Sequence, residues 1–182
     1  MFLIVFLSFN LCHAQSDNYT KTIKDFTFSR HFMELKKDDS VNYYSLLANG
    51  LVHVPNRNDE MQAIENWLKK HSNAIVKPII MWEYLDSNHQ VTQRRMECLI
   101  IDGKDTLNNY LVAIGCFPLN AFSQASYEHL NDWMKALHLK GKERVQLLIS
   151  NEAYDKYAKR LSYLNNNAQK MQLGMYKPLV ID

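Results

Sequence analysis

Apolar positions along the chain change period several times, and each change marks an element. Val41 to Ala48 is dense in aliphatic and tyrosine side chains, then come Asn49-Gly50 and the run Leu51-Val52-His53-Val54. Asn-Gly between two such runs predicts a hairpin of two antiparallel strands, because both residues accept the positive φ that the favoured tight turn requires. Pro55 to Glu60 stops the second strand. Met61, Ile64, Trp67 and Leu68 then recur at helical spacing, which predicts a helix over 58–71. Asn58 fits as its N-cap, acidic residues in the first turn face the positive end of the dipole, and Lys69-Lys70-His71 close the negative end.

Ile75 to Leu85 is β-branched and aromatic and reads as a strand. Pro78 has no N–H to give a ladder, so it requires an edge or a bulge. Asp86-Ser87-Asn88-His89 turns the chain into the next strand, Val91 to Ile101, which ends at Asp102-Gly103-Lys104. The period then becomes helical: Leu107, Tyr110, Leu111 and Ile114 share a face and Gly115 supplies the stop. Cys116 to Leu119 leaves as an extended piece, and Ser126 to Leu137 reads as a helix capped by Ser126. A long stripe, Val145, Leu148, Ala153, Tyr157, Leu161, Leu164, Ala168 and Met171, predicts a terminal helix that stops near Gly174. Residues 17–40 are polar and mixed, and read as an extension holding one short element, Phe26 to Leu35. Strands, a helix, a strand pair and more helices make an α+β order, with helices packed on a small antiparallel sheet.

Composition narrows the class. The 182 residues are 47% hydrophobic and 22% charged with 5 Gly and 4 Pro, which suits one globular domain and excludes a disordered or low-complexity chain. Twenty-one basic against 19 acidic side chains leave +2, so no overall charge excess advertises a polyanion. Positive side chains do gather late in the chain, from Lys135 to Lys170. The first 16 residues carry no Lys, Arg, Asp or Glu, and Phe2 to Leu11 is a ten-residue apolar run too short to span a bilayer. Followed by Cys12-His13-Ala14, it fits a signal peptide cleaved after Ala14, although no positive residue precedes it. The protein is therefore expected to be exported, periplasmic or secreted, with no transmembrane segment in the mature chain. Cys98 and Cys116 remain after that cleavage; in an oxidising compartment they could pair or stay two separate buried thiols, and their spacing does not choose.

The stretch Arg94-Arg95-Met96-Glu97-Cys98-Leu99-Ile100-Ile101-Asp102-Gly103-Lys104, followed by Leu107-Asn108-Asn109-Tyr110-Leu111-Val112 and Gly115, resembles the staphylococcal nuclease (thermonuclease-like) family. There an Arg opens a strand that ends in an Asp-Gly turn, and a helix of the form LNxxLVxxG follows. Ala168 to Tyr176 is similar to that family's terminal A-x-x-x-x-L-G-[IL]-W, and the helix over 58–71 stands where the family has one. The resemblance implies a small antiparallel OB-like β-barrel with helices packed on it and a long C-terminal helix. It divides the chain into a signal peptide (1–14), an N-terminal extension (15–40) and one α+β domain (41–182) with an insertion near 123–150.

The departures bear on activity. Family nucleases hold Ca²⁺ with carboxylates, one on a strand and one in a D-T-P-E stretch whose Glu helps activate water, and two Arg bind the phosphate. Here Val54-Pro55-Asn56-Arg57 stands in place of D-T-P-E, so Val and Asn replace both acids. Only Arg94 falls on a catalytic Arg position, with Arg95 beside it. Asp59 and Glu60 come later and would have to reach back from the first helical turn. The resemblance thus implies Arg94, Glu60 and Asp59 as catalytic candidates, with Asp59 also the metal ligand and Ca²⁺ the Lewis acid if the chain is an enzyme. If it is not, no cofactor is expected, and a solvated salt-bridge group explains the same side chains.

Nothing else competes for chemistry. The 7 His show no HxH, HExxH or HxxxH spacing, and there is no GxSxG, P-loop or GxGxxG. Strand aromatics such as Tyr43, Tyr44, Trp82 and Tyr84 fit a core, or a base-stacking face on an OB barrel. The expected function is an exported thermonuclease-like protein without nuclease activity, a binding or accessory module whose partner is nucleic acid or another protein. The alternatives are an active Ca²⁺-dependent secreted phosphodiesterase and an unrelated periplasmic interaction protein docking through its terminal helix.

Overall fold

A computed structural model describes residues 19–29, 32–35, 41–46, 58–116 and 143–178. They form an α+β fold: a curled, half-barrel mixed sheet and three α-helices, one of them C-terminal. The strands are β1 Lys21–Thr22, β2 Phe26–Ser29, β3 Phe32–Leu35, β4 Asn42–Leu46, β5 Ile75–Leu85, β6 Val91–Asp102, β7 Asp105–Thr106 and β8 Glu143–Leu147. The helices are α1 Asn58–Lys70, α2 Leu107–Ala113 and α3 Asn151–Lys170.

The main path of the sheet runs β1-β5-β6-β4-β3-β2. Its two end strands, β1 and β2, are consecutive in the chain and separated only by a 3₁₀ turn, Ile23–Asp25. One short length of backbone therefore touches both ends of the sheet, and that is what curls it. Strands β2, β3 and β4 form an antiparallel meander, and β5 and β6 an antiparallel hairpin. Between β4 and β6 the pairing is parallel, from Asn42 opposite Arg94 to Leu46 opposite Cys98. The sheet is thus mixed, not wholly antiparallel as the sequence order suggests. Helix α1 and strand β5 lie between β4 and β6, enough chain to bring β6 back in the same direction as β4.

The N-terminal segment also differs from expectation. The one element expected over Phe26 to Leu35 is two paired antiparallel strands, and β1 pairs with β5, Lys21 opposite Val76, so β1, β2 and β3 all belong to the sheet. The Asn49-Gly50 turn and the helix read over Ser126 to Leu137 lie outside the described residues. The stripe from Val145 is not one helix: Val145 sits in β8, Ser150 caps α3 by accepting from the Ala153 N–H at 3.2 Å, and α3 follows. Tyr157, Leu161, Leu164 and Ala168 pack inward as the stripe requires, whereas Ala153 and Met171 are exposed.

Pro78 produces the bulge that its missing N–H demands. The register of β5 on β6 shifts between Pro78 and Ile80. On its other edge β5 changes partner at the same place, pairing β1 at Ile75 and Val76 and β8 from Ile80 to Tyr84. Inside the curl, Val76, Met81, Tyr44, Leu46, Met96, Cys98 and Ile100 meet Ile64 and Trp67 of α1, Leu107, Leu111 and Val112 of α2 and Leu161 of α3. On the outer face, Ile79, Ile80 and Leu99 pack against Tyr154 and Ala158 of α3. Buried Asn108 ties α2 to the sheet: its Nδ2 donates to the Cys98 carbonyl and its Oδ1 accepts from the Ile100 N–H, both at 3.0 Å.

Candidate functional site on strands four to six

Side chains alternate across a strand, so neighbours on β6 face opposite ways. Met96, Cys98 and Ile100 belong to the interior of the curl, which places Arg94 on that inner face, nearer the start of the strand. Arg95, Glu97 and Leu99 take the outer face. Arg94 lies opposite Glu83 of β5, and its Nε donates to Glu83 Oε1 at 3.0 Å. The two side chains are 27% and 17% exposed, so the pair is shielded on most sides but open to solvent at one. The Arg94 N–H donates to the Val41 carbonyl at 2.6 Å, which fixes the backbone here.

On the outer face, Arg95 Nη2 lies 3.6 Å from Glu97 Oε1. Glu97 is buried, and its carboxyl is raised above the ordinary value of 4.5 by that burial, partly offset by the Arg95 charge and a hydrogen bond from the Trp82 side chain. Burial pushes the phenol of neighbouring Tyr154 up to about 12, with the negative charge of Glu97 and Asp155 adding to the shift. Beside Arg95 in the parallel register stands Tyr43 of β4. Tyr43 is 50% exposed while Tyr44, its neighbour, is buried. A half-exposed aromatic ring is a surface on which a flat group can stack, and its neighbour in the register is cationic.

Of the catalytic candidates, Arg94 is placed and its carboxylate partner is Glu83. Asp59 and Glu60 belong to the first turn of α1, and their side chains lie outside the described residues. Among the described residues no three His, Cys, Asp or Glu side chains gather where a metal ion could be held. Glu83 and Glu97 are residues that reading the sequence passed over as site members. Counting outward from the Asp86–His89 turn does not pair Glu83 with Arg94; the register shift between Tyr84 and Leu85 brings them opposite each other. Cys98 and Cys116 are both free thiols. No described helix is long and apolar enough to cross a membrane. Compared with family models and with curated proteins, the chain matches none, so no relative's activity bears on this site.

Proposed function

We propose that this chain is an exported, thermonuclease-like module of OB type that binds single-stranded nucleic acid and does not cleave it. The OB reading is supported by the order of elements. If β1 and β2 count as one bent strand, then β3, β4, β5 and β6 complete five strands in a partly closed barrel, with α1 between the third and the fourth. The observation that carries the binding reading is Tyr43, half exposed and in register with Arg95. The OB-type β-surface offers bases such a platform, with cations for the backbone. Loss of cleavage is supported by the pairing of Arg94 with Glu83, which occupies its Nε, and by Val54-Pro55-Asn56-Arg57 standing in place of D-T-P-E. Export rests on the uncharged run that ends before Gln15, and the partner is expected outside the cytosol.

The test is a cleavage and binding assay on the chain from Gln15 onward, with single- and double-stranded DNA and RNA, in millimolar-range Ca²⁺ and in chelator. No cleavage is expected, together with single-strand binding that weakens with salt. Tyr43→Ala is expected to lower the affinity by about tenfold, the worth of one stacked base. Ca²⁺-dependent cleavage that Arg94→Ala abolishes would make the chain an active nuclease. Absence of single-strand binding by folded protein would overturn the binding reading.

A further inference from the structure

A second feature lies apart from that face, between the helices. The end of α1, the turn from β6 into β7, α2 and the middle of α3 enclose a cleft of about 420 Å³, within the size range of small-ligand sites. Lys70 comes from α1, Lys104 from the turn and Arg160 from α3, so three cationic residues from three elements line it, against one lining carboxylate, Asp105; the Arg160 guanidinium also lies 5.7 Å from the centroid of the Tyr163 ring. His71 also lines it. Its ring is stacked on Trp67, centroids 4.0 Å apart and planes 21° from parallel, and its Nδ1 meets Asp102 Oδ2 at 2.9 Å. Those two contacts hold the ring and leave Nε2 as the atom His71 can offer a ligand. Asn109 contributes a side-chain oxygen that is buried and has no hydrogen-bond partner, although its backbone N–H is used by Thr106 Oγ1 at 3.1 Å.

We infer that this cleft binds a small phosphomonoester, its dianionic phosphate among Lys70, Lys104 and Arg160. A phosphate carries close to two charges and three acceptor oxygens, which suits a lining with three cationic residues. The organic part fills the remaining volume along Tyr110, Ala113 and Leu164. No Ser or Cys lines the cleft, and Thr106 Oγ1 is occupied as the cap of α2, so the lining presents no free hydroxyl or thiol nucleophile.

The inference stands independently of single-strand binding at Tyr43, and one set of titrations separates the two. Ribose 5-phosphate, adenosine monophosphate and inorganic phosphate are titrated calorimetrically into the chain from Gln15 onward, and into Lys104→Ala and Arg160→Ala. Both substituted side chains are exposed, so both variants are expected to melt with the parent. The esters should bind at least about tenfold more tightly than inorganic phosphate, and each variant should weaken them by about tenfold. Tyr43→Ala should leave ester binding unchanged. Binding of neither ester, ester affinity equal to that of inorganic phosphate, or ester affinity that both variants leave intact would each overturn the assignment.

Discussion

Gly115 and Gly174 meet backbone to backbone. Gly115 ends α2 at φ +71 and Gly174 follows α3 at φ +52, and the Met175 N–H donates to the Gly115 carbonyl at 2.9 Å. A Cβ on Gly115 would stand 2.3 Å from the Leu173 carbonyl oxygen, and one on Gly174 would stand 2.4 Å from the Gly115 carbonyl oxygen. The two glycine stops that the sequence shows separately are thus one joint, which docks the end of the chain against the end of α2. Alanine at either position meets both backbone collision and a left-handed φ. Gly115→Ala and Gly174→Ala should each cost about 3 kcal/mol, a fall in Tm of roughly 5–10 °C. A thermal melt reads this directly, and an unchanged Tm would mean that the tail is not docked in solution.

Asn108 is expected to be the costliest single polar side chain on α2 to lose. It serves the edge of β6 as a strand would, satisfying the Cys98 carbonyl and the Ile100 N–H inside the core. Asn108→Ala leaves both backbone groups buried without a partner and should cost about 3 kcal/mol. Asn108→Asp keeps the acceptor but loses the donor and buries a charge, so it should be no milder. Chemical denaturation of the two variants tests this, and a cost below about 1 kcal/mol would show that water replaces the side chain.

Local signals were legible and distant ones were not. The helix over 58–71 is α1, the strands over 75–85 and 91–101 are β5 and β6, and the helix stopped by Gly115 is α2, because each depends on a period or a stop within a dozen residues. The parallel contact of β4 with β6 joins residues such as Tyr44 and Met96, and no local pattern records it. The stripe from Val145 misled because Val145 and Leu148 are three positions apart, a helical spacing, while Ser150, a capping residue inside the stripe, marked the true start. The same limit applies to the site. Arg94 was visible as a residue type at a strand start, but its partner Glu83 emerges only from the register of the hairpin. The helical cleft was invisible, since its cations come from three elements that the fold alone brings together.

The two described thiols, Cys98 and Cys116, should differ sharply in reactivity. Cys98 is fully buried in β6, and burial together with the negative charge of Glu97 pushes its thiol well above the usual 9.0, so little thiolate exists to react. Cys116 is half-buried, just after α2. Alkylation of native protein, located by mass mapping, should label Cys116 and spare Cys98 until the chain unfolds. Equal labelling would mean that β6 opens locally, and loss of both thiols without label would mean that they had paired.

Glu97 should make stability depend on pH in the direction opposite to an ordinary paired carboxylate. Its folded value is raised from 4.5, chiefly by burial, so the folded chain keeps a proton that the unfolded chain releases. The stability this group contributes is complete below 4.5 and is lost as pH rises through the folded value. Above that value the fold holds a buried charge whose partner, Arg95, is 3.6 Å away and partly in water. Glu97→Gln keeps the shape and removes the charge, and Arg95 retains its solvent contact. The variant should therefore be more stable than the parent by about 1 kcal/mol at neutral pH. That advantage should shrink as pH falls towards 4.5, where the parent carboxyl is also protonated. Urea denaturation of both proteins from neutral to acidic pH measures the difference. A variant less stable than the parent at neutral pH would show that the ion pair with Arg95 outweighs the cost of burying the carboxylate.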